Sequence, residues 1–432
     1  MVRDASEPAI SVVMAVLDGA RFIGEQLASF AAQTVLPDEL IVGDEGSVDA
    51  TVEIVERFAA GAPFRVVLVR NPVRLGVTDN FLSLAARARG PIIAFSDCDD
   101  VWDSQKLERI APWFRDPAVG LVMHRALVVD ETLRPLGRRY PVIGRTVVRQ
   151  ARRVDPWLPG SGMCVFRKAL IDVAATDAGA RPREAGGHSM DHDDWVYFLA
   201  GSLGKTVFLA EDLALYRQHG GSYMGAPAGD LRERVDRGLR LDAGDFRRQG
   251  AMFRARRDFW VRIASNPGTR QPVRDEAARS AAWCDRLASL QDARAGVRDQ
   301  ASGRARRLLR LLRLIVRAGY RPRTWAGLGL RALAADTISL VRPGPGTDAL
   351  AAAAELANRV ANERAAGRSP EAIATQLTTE GVPPVYGNRW TAQMIRDLNF
   401  QGRRASEATA IEAAQVSIES PDQPAPQRSP NR

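Results

Sequence analysis

The sequence predicts an α/β protein with a mostly parallel sheet, and three features of residues 9–130 lead to this fold class. Short apolar runs recur along this stretch, amphipathic runs of helical period separate them, and turn residues bound both kinds of segment. Apolar strands that alternate with helices are typical of a parallel sheet covered on both faces. Ligands of such sheets bind beyond the carboxyl ends of the strands, so the residues after each strand are the functional candidates.

The predicted elements alternate regularly as far as residue 96. They are the strand Ala9–Val16, the helix Ala20–Gln33, the strand Glu39–Gly43, the helix Asp49–Ala59, the strand Phe64–Val69, the helix Thr78–Ala88 and the strand Pro91–Ser96. Ser47 and Asp49 are residues that commonly open a helix, which fixes the start of the second one. The sequence then predicts strands near Val119–Val129 and Gly162–Phe166 in a mixed region, followed by helices over residues 231–340.

Composition and charge bound the function. The chain has 432 residues, of which 45% are hydrophobic and 26% charged, and these fractions exclude collagen, a disulfide scaffold and wholesale disorder. Its length predicts two or three domains, at about 100–200 residues each. The net charge of +9 is uneven, because residues 231–345 hold 26 arginines and 11 acidic residues, which gives +15 there and −6 elsewhere. Such a basic region predicts an anionic partner, either nucleic acid, a nucleotide or a membrane surface.

The cysteine count and the N-terminal residues predict a cytoplasmic protein. Three cysteines without a Cys-x-x-Cys pair are typical neither of a disulfide framework nor of a cysteine-ligated zinc site, and they fit a reducing compartment. The first residues are too acidic for a signal peptide. Because no stretch of about 18 apolar residues occurs, we expect no transmembrane helix, which still allows peripheral contact with the inner face of the cytoplasmic membrane.

Acidic residues follow the second and the fourth predicted strand. After the second comes Asp44-Glu45-Gly46-Ser47, in which a carboxylate can accept a hydrogen bond from a nucleobase imide; the alternative is a plain capping turn. After the fourth come Asp97, Asp99 and Asp100. These carboxylates would repel one another unless a divalent cation such as Mg²⁺ or Mn²⁺ lies among them, and the alternative is a solvated acidic loop.

A third acidic cluster, Asp191-His192-Asp193-Asp194-Trp195, opens an apolar run of helical period. An acid beside a bulky aromatic residue at the start of a helix can serve as a general base toward an acceptor hydroxyl. The alternative is that acids favour the first turn of any helix, where they complement its dipole.

Five motifs stand in order along the chain: SVVMAVLDGARFIGEQLASFAAQT, LIVGDEGSVDAT, NFLSLAARARGPIIAFSDCDDVW, HDDW and LYRQHGGSYMG. Together they resemble the inverting family 2 glycosyltransferases, and most closely the bacterial rhamnosyltransferase-like branch, over about residues 9–225. The resemblance implies a GT-A fold, a nucleotide-diphospho-sugar donor and a Mg²⁺ or Mn²⁺ cofactor. It also implies a glycan or lipid-linked acceptor and a role in cell-surface polysaccharide synthesis.

The resemblance further implies a role for individual residues. Asp193 would be the catalytic base that deprotonates the acceptor hydroxyl, and Asp99 would be the metal ligand. The residues expected to bind the nucleotide-sugar are Ala15, Asp18, Asp44, Asp97, Arg217 and His219, the last two meeting the diphosphate after a loop closes. The residues expected on the acceptor side are Gly160, Ser161, Gly162 and Trp195.

Three positions depart from the family pattern. Glu45 stands where the family usually has aspartate, Leu17-Asp18 where it has Tyr-Asn, and Cys98 where it has glutamine. These departures keep open an alternative function, that of a catalytically degenerate protein which binds a nucleotide-sugar or DNA as a regulator. A sugar nucleotidyltransferase also uses an aspartate-rich metal site, but it lacks the HDDW and YRQH motifs.

The helical region carries one strongly amphipathic segment, Arg304–Ala318. Its helical spacing places arginines 306, 310, 313 and 317 on one face and Leu308, Leu312 and Ile315 opposite. Such a helix can lie in the interface of an anionic membrane. Alternatively, it packs its leucines on the catalytic domain and exposes its arginines.

The C-terminal part predicts a separate small module. Ser369–Leu398 resembles the helix–loop–helix of the recombinase-associated domain of serine recombinases, but no recombinase catalytic domain precedes it, so recombination is not implied. A protein-contact or appended role is favoured, and the alternative is contact with nucleic acid through Arg389 and Arg396. The predicted domains are a GT-A catalytic domain at 1–230, an Arg-rich helical extension at 231–342, a linker at 343–347, the recombinase-like module at 348–400 and a disordered tail at 401–432.

Overall fold

The computed structural model of the chain describes residues 8–153, 163–177, 181–182, 190–219, 241–317, 319–320, 328–341, 347–382 and 395. The chain divides into two compact units: the described residues up to Val341 belong to the larger unit, and those from Thr347 onward belong to the smaller one. The predicted turn at residues 160–162, most of the predicted linker and the whole predicted tail lie outside the described residues.

A mixed sheet forms the centre of the larger unit. Within the described residues its strands are β1 Ile10–Val16, β2 Glu39–Asp44, β3 Arg65–Arg70, β4 Ile92–Ser96, β5 Val101–Trp102, β6 Val119–Val129, β7 Pro135–Tyr140, β8 Val147–Arg149, β9 Cys164–Arg167 and β10 Lys205–Arg217. They lie in the order β3-β2-β1-β4-β9-β6-β10-β5, with β7 beside β6 and β8 beside β10.

Helices cover the sheet and continue beyond it. In the described residues of the larger unit they are α1 Ile23–Ala31, α2 Thr51–Gly61, α3 Val77–Arg87, α4 Lys106–Ile110, α5 Ala169–Ala174, α6 His192–Leu203, α7 Ala243–Ser265, α8 Gln271–Arg298, α9 Arg304–Val316 and α10 Leu330–Val341, with a 3₁₀ turn at Ala111–Arg115. The predicted α/β class is confirmed, and the seven elements predicted before residue 97 are all present, with ends shifted by at most three residues.

Strand directions bring the functional candidates to one edge of the sheet. Strands β3, β2, β1 and β4 are parallel, and β9 runs antiparallel between β4 and β6. Strand β10 runs parallel to β6. The carboxyl ends of β1, β2, β4, β6 and β10 therefore point the same way, so the segments that follow Val16, Asp44, Ser96 and Arg217 can converge.

The core lies on both faces of the sheet because side chains alternate along each strand. On one face, Val13 packs in a cluster with residues of α3, α6, α7 and α8. On the other, Val12 and Met14 pack with residues of α1, α2 and α4. Residues on both sides of the predicted boundary at residue 230 share the first cluster, in which the Trp195 and Phe259 rings lie 5.0 Å apart, centroid to centroid.

The smaller unit contains α11 Thr347–Ala365 and α12 Pro370–Thr379. Gly367, with φ +84°, lies in the turn between them, and the Ser369 hydroxyl caps α12 by accepting a hydrogen bond from the Ala372 amide at 3.1 Å. Ile373 and Leu377 of α12 are buried, which gives the first helix of the recombinase-like stretch its apolar face. The second predicted helix lies almost entirely outside the described residues, and the likeness to recombinases stays a prediction.

Candidate active site

The acidic loop after β4 lies at the edge of the sheet where the strands end. The Gln26 side chain of α1 donates to the Ser96 hydroxyl at 2.5 Å and to the Asp97 carbonyl at 3.2 Å. These bonds fix the start of the loop. Gly19, in the turn after β1, lies so close to the loop that a Cβ there would stand 3.2 Å from the Cys98 sulfur. The first and third motifs therefore meet here.

Asp97 is a half-buried residue of this loop. Burial raises its pKa to about 7, and the negative charges of Asp99 and Asp193 raise it as well, against the opposite influence of the Lys106 ammonium. The effect of Asp193 on Asp97 shows that the HDDW motif lies beside the acidic loop, although nearly a hundred residues separate the two in sequence. The resemblance places both motifs in one site, and their roles there stay a prediction.

Asp193 lies in the first turn of α6. Burial raises its pKa to about 6, the Asp194 amide lowers it by donating a hydrogen bond at 2.8 Å, and the charge of Asp191 raises it. A carboxylate with this pKa is mostly ionised at neutral pH and still basic enough to accept a proton. Burial raises the pKa of the Tyr140 phenol, and the charges of Asp193 and Asp194 raise it further. Nothing in the sequence singled Tyr140 out.

His219 and Asp99 form a direct pair. The His219 Nε2 atom lies 2.8 Å from the Asp99 Oδ2 atom, and the imidazole ring packs 4.7 Å from the Phe22 ring. The YRQH motif and the acidic loop therefore meet at Asp99, the residue expected to bind the metal. Both side chains keep some exposure, 14% for His219 and 23% for Asp99.

Arg217 holds the acidic loop from beneath. Its backbone amide donates to the Asp100 Oδ1 atom at 3.1 Å, and its Nε donates to the Asp99 carbonyl at 2.6 Å. Its Nη1 donates to the Glu131 carbonyl at 2.6 Å and its Nη2 pairs with Glu25. The side chain is only 1% exposed. The guanidinium expected at the diphosphate is thus engaged by protein groups in this structure, a placement the motif alone did not reveal.

Two of the residues expected at the nucleotide, Asp44 and Asp18, accept hydrogen bonds from the backbone of the turn after β2. Asp44 accepts from the Gly46 amide at 3.2 Å and from the Ser47 amide at 3.1 Å, so the capping turn considered as an alternative is present. Asp18 has a positive φ of 50°, and its Oδ1 accepts from the Val48 amide at 2.8 Å. These bonds tie the turn after β1 to the turn after β2. Ala15 is half-buried between them.

Glu45 explains one departure from the family pattern. Its carboxylate accepts from the Asn71 side chain at 2.8 Å, from the Leu75 amide at 2.8 Å and from the Gly76 amide at 2.9 Å. The longer glutamate side chain therefore reaches the loop that leads into α3 and anchors it. No sequence pattern indicated this contact.

Lys106 is a buried cation that sequence reasoning missed. Its ammonium lies 3.5 Å from the centre of the Trp102 ring and has no hydrogen-bond partner among the described residues. Burial lowers its pKa to about 7, while the charges of Asp100, Cys164 and Asp97 raise it. Lys106 therefore places a second positive charge, besides that of Arg217, next to the acidic loop.

The acceptor side is only partly described. Gly160, Ser161 and Gly162 lie outside the described residues. Trp195 is 4% exposed and packs edge-on against Phe259. It therefore lies in the core, whereas the resemblance implied that it would line the acceptor side.

The donor set suits a divalent cation that shares its coordination with a substrate. Among the described residues no three His, Cys, Asp or Glu side chains are arranged to hold an ion. Mg²⁺ commonly takes one or two carboxylates and completes its shell with water and substrate phosphates. The crowded Asp97 and Asp99 carboxylates, with raised proton affinity at Asp97, have the chemistry of such a partial site.

Comparison with known proteins supports the same family. Residues 11–177 match the model of glycosyl transferase family 2. An uncharacterized glycosyltransferase of Nostoc sp. is 29% identical over 217 residues, 49% of this chain and 65% of that protein. An uncharacterized protein of Mycobacterium tuberculosis is 35% identical over 221 residues, 49% of this chain and 59% of that protein. The chain thus spans less than two thirds of the length of these relatives.

Among solved structures, the chain is similar to residues 1–349 of Staphylococcus aureus TarS in complex with UDP-GlcNAc. The two are 16% identical, and the alignment covers 76% of this chain and 90% of the TarS chain with a TM-score of 0.41.

In the described part of this chain, no helix has both the length and the hydrophobicity that crossing a membrane requires.

Proposed function

We propose that this protein transfers a sugar from a nucleotide-diphospho-sugar to a hydroxyl group, with inversion at the anomeric carbon, because residues 11–177 match the glycosyl transferase family 2 model. One observation carries the proposal. The acidic loop with Asp97 and Asp99 and the half-buried Asp193 lie at the same edge of the sheet, close enough for Asp193 to raise the pKa of Asp97.

Asp193 is the proposed catalytic base. Its pKa of about 6 leaves it ionised at neutral pH, and it can take the proton of the acceptor hydroxyl as that oxygen attacks the anomeric carbon. Attack from the side opposite to the diphosphate breaks the sugar–oxygen bond and inverts the configuration. The electron pair of that bond leaves with the nucleoside diphosphate.

The donor is expected on the Asp99 side of the site. Asp99, with Asp97 beside it, would hold Mg²⁺ or Mn²⁺, and the bound cation would offset the negative charge that develops on the leaving diphosphate. His219 orients Asp99 through its 2.8 Å contact, while Arg217 fixes the loop backbone. The turns that contain Asp18 and Asp44 would receive the nucleotide.

The acceptor proposed is a hydroxyl of a glycan or of a lipid-linked glycan, in the synthesis of a cell-surface polysaccharide. We place the protein in the cytoplasm, peripherally at the inner face of the cytoplasmic membrane, because its arginine-rich region is suited to an anionic surface.

Turnover of a panel of nucleotide-sugars, with and without EDTA, tests the proposal. Asp193→Asn and Asp99→Asn should each lower metal-dependent release of the nucleoside diphosphate by at least about 100-fold. Asp258→Asn, a change at an exposed position of α7, is the matched control and should leave turnover unchanged. Thermal protection by a nucleotide-sugar without any turnover would favour the regulator instead, because binding alone raises apparent stability.

A further inference from the structure

Helix α9 leaves an apolar stripe uncovered. The helix is anchored by Arg307, Leu311 and Leu314, which are buried, and the Arg307 guanidinium donates to the Val297 and Ser339 carbonyls at 2.7 and 2.6 Å. The opposite side presents aliphatic residues at helical spacings of three and four. They are Leu308, Leu309, Leu312, Ile315 and Val316, each between 41% and 84% exposed. Of the two alternatives that the sequence left open, the one that packs Leu308 and Leu312 on the catalytic domain does not hold, because both are exposed.

A cationic cavity lies on another side of the same helix. It has a volume of about 620 Å³ and lies between α7, the end of α8 and α9. Five arginines line it, namely Arg247, Arg254, Arg310, Arg313 and Arg317. Only two acids share the lining: Asp292, which pairs with Arg254 at 2.6 Å, and Asp299, which lies 3.7 Å from Arg310. No ion pair among the described residues neutralises the other three arginines.

These arginines differ from those that build the extension. Arg294 and Arg298 are buried and bind the Asp336 carboxylate at 2.8 and 2.9 Å, so their charge is used inside the fold. Arg247, Arg313 and Arg317 are exposed beside the cavity. Residues 300–335 contain nine arginines and no acidic residue, so no acid within that stretch offsets Arg313 and Arg317.

We propose that α9 and this cavity dock the protein on an anionic phospholipid surface, with the aliphatic stripe in the acyl boundary and the arginines on lipid phosphates. Charge complementarity selects an anionic partner, and the stripe selects a lipid one, because a nucleic acid offers no apolar layer to five aliphatic side chains. The inference deepens the membrane association proposed above by naming its surface.

Flotation of the full chain with vesicles tests the surface directly. The parent should bind vesicles that contain phosphatidylglycerol and should not bind pure phosphatidylcholine. Two triple variants should each lose most of the binding. The first replaces the cavity arginines, as Arg247→Gln with Arg313→Gln and Arg317→Gln. The second replaces stripe residues, as Leu308→Gln with Leu312→Gln and Val316→Gln. The matched controls are Arg57→Gln with Arg70→Gln and Arg87→Gln, and Val73→Gln with Val142→Gln and Val261→Gln, which should keep it.

Each other outcome overturns the proposal. The proposal is wrong if the parent does not bind the anionic vesicles. It is also wrong if a control loses as much binding as its partner variant, or if the stripe variant binds like the parent. Binding to duplex DNA that depends on the cavity arginines but not on the stripe would assign the surface to nucleic acid. Asp193→Asn should bind vesicles like the parent, so a failure of the transfer reaction is distinguishable from a failure of docking.

Discussion

At the scale of single residues, the proposed reaction depends on the protonation of Asp193. The base must be ionised to accept a proton, and burial raises its pKa to about 6. We therefore expect kcat to fall about tenfold for each pH unit below that value and to level off above it. The measurement is a kcat–pH profile at saturating donor and metal, since metal binding to Asp99 also weakens in acid.

Asp193→Asn supplies the comparison for this profile. Its residual rate should lose the acid limb, because asparagine does not titrate. A parent rate that stays flat on both sides of pH 6, or an acid limb that persists in the variant, would assign the base elsewhere.

Arg217 is expected to position the acidic loop. Arg217→Lys keeps the charge but cannot reach the carbonyls of Asp99 and Glu131 and the Glu25 carboxylate together. Lysine at this buried position then leaves some of these acceptors without their partner, and we expect the free energy of unfolding to fall by about 2–4 kcal/mol, as measured by urea denaturation without donor.

Arg21→Lys is the matched control for this change. Arg21 pairs with the Glu131 side chain at 2.6 Å, but the two side chains are 66% and 39% exposed, so the loss should stay below about 1 kcal/mol. If Arg217→Lys left stability unchanged and raised only the donor KM, Arg217 would act at the diphosphate, as its motif predicts.

At the scale of elements, the contact between β2 and α3 limits what can stand at Gly43. A Cβ there would overlap the Asn80 amide oxygen and lie 2.6 Å from the Leu84 side chain, and Asn80 also donates to the Gly43 carbonyl at 2.9 Å. Gly43→Ala should push α3 off the sheet and lower the free energy of unfolding by about 1–3 kcal/mol.

Gly61→Ala, at the end of α2, is the control for Gly43→Ala. No atom lies within 4 Å of a Cβ at Gly61, so alanine should be neutral or stabilise by up to about 1 kcal/mol. Equal denaturation midpoints for the two variants would contradict the close approach of α3.

The same elements show what sequence can and cannot predict. Periodicity gave β1 to β4 and their helices, because each of these segments has one local pattern. It did not separate β7, β8 and β10, since β10 is a 13-residue strand with register shifts against β6. In the site, motif order brought Asp97, Asp99, Asp193 and His219 together. The anchoring contacts of Glu45 were not predictable, because they are made with residues 71–76, whose position depends on tertiary packing.

At the scale of the whole molecule, the charge of +9 resolves into three parts. Carboxylates crowd the edge of the sheet, and some arginines of the extension form buried pairs, such as Arg298 with Asp336. Other arginines line a cavity that holds only two acidic residues. Sequence counting located the excess in residues 231–345 but could not sort structural from surface arginines, because a buried partner such as Asp336 is identified only by packing.

The shared core predicts that the sheet and the helical extension up to α8 unfold together. The Phe259 ring of α7 lies 5.0 Å from Trp195 and 6.2 Å from Phe198, both on α6, and Phe259 is 2% exposed. Phe259→Ala should therefore lower the free energy of unfolding of the whole cluster by about 3–5 kcal/mol. Far-ultraviolet circular dichroism and tryptophan fluorescence should shift by the same amount in one transition. Val261→Ala, on the same helix but 47% exposed, should shift neither. Two separated transitions, with only one of them moved by Phe259→Ala, would instead support independent folding on either side of residue 230.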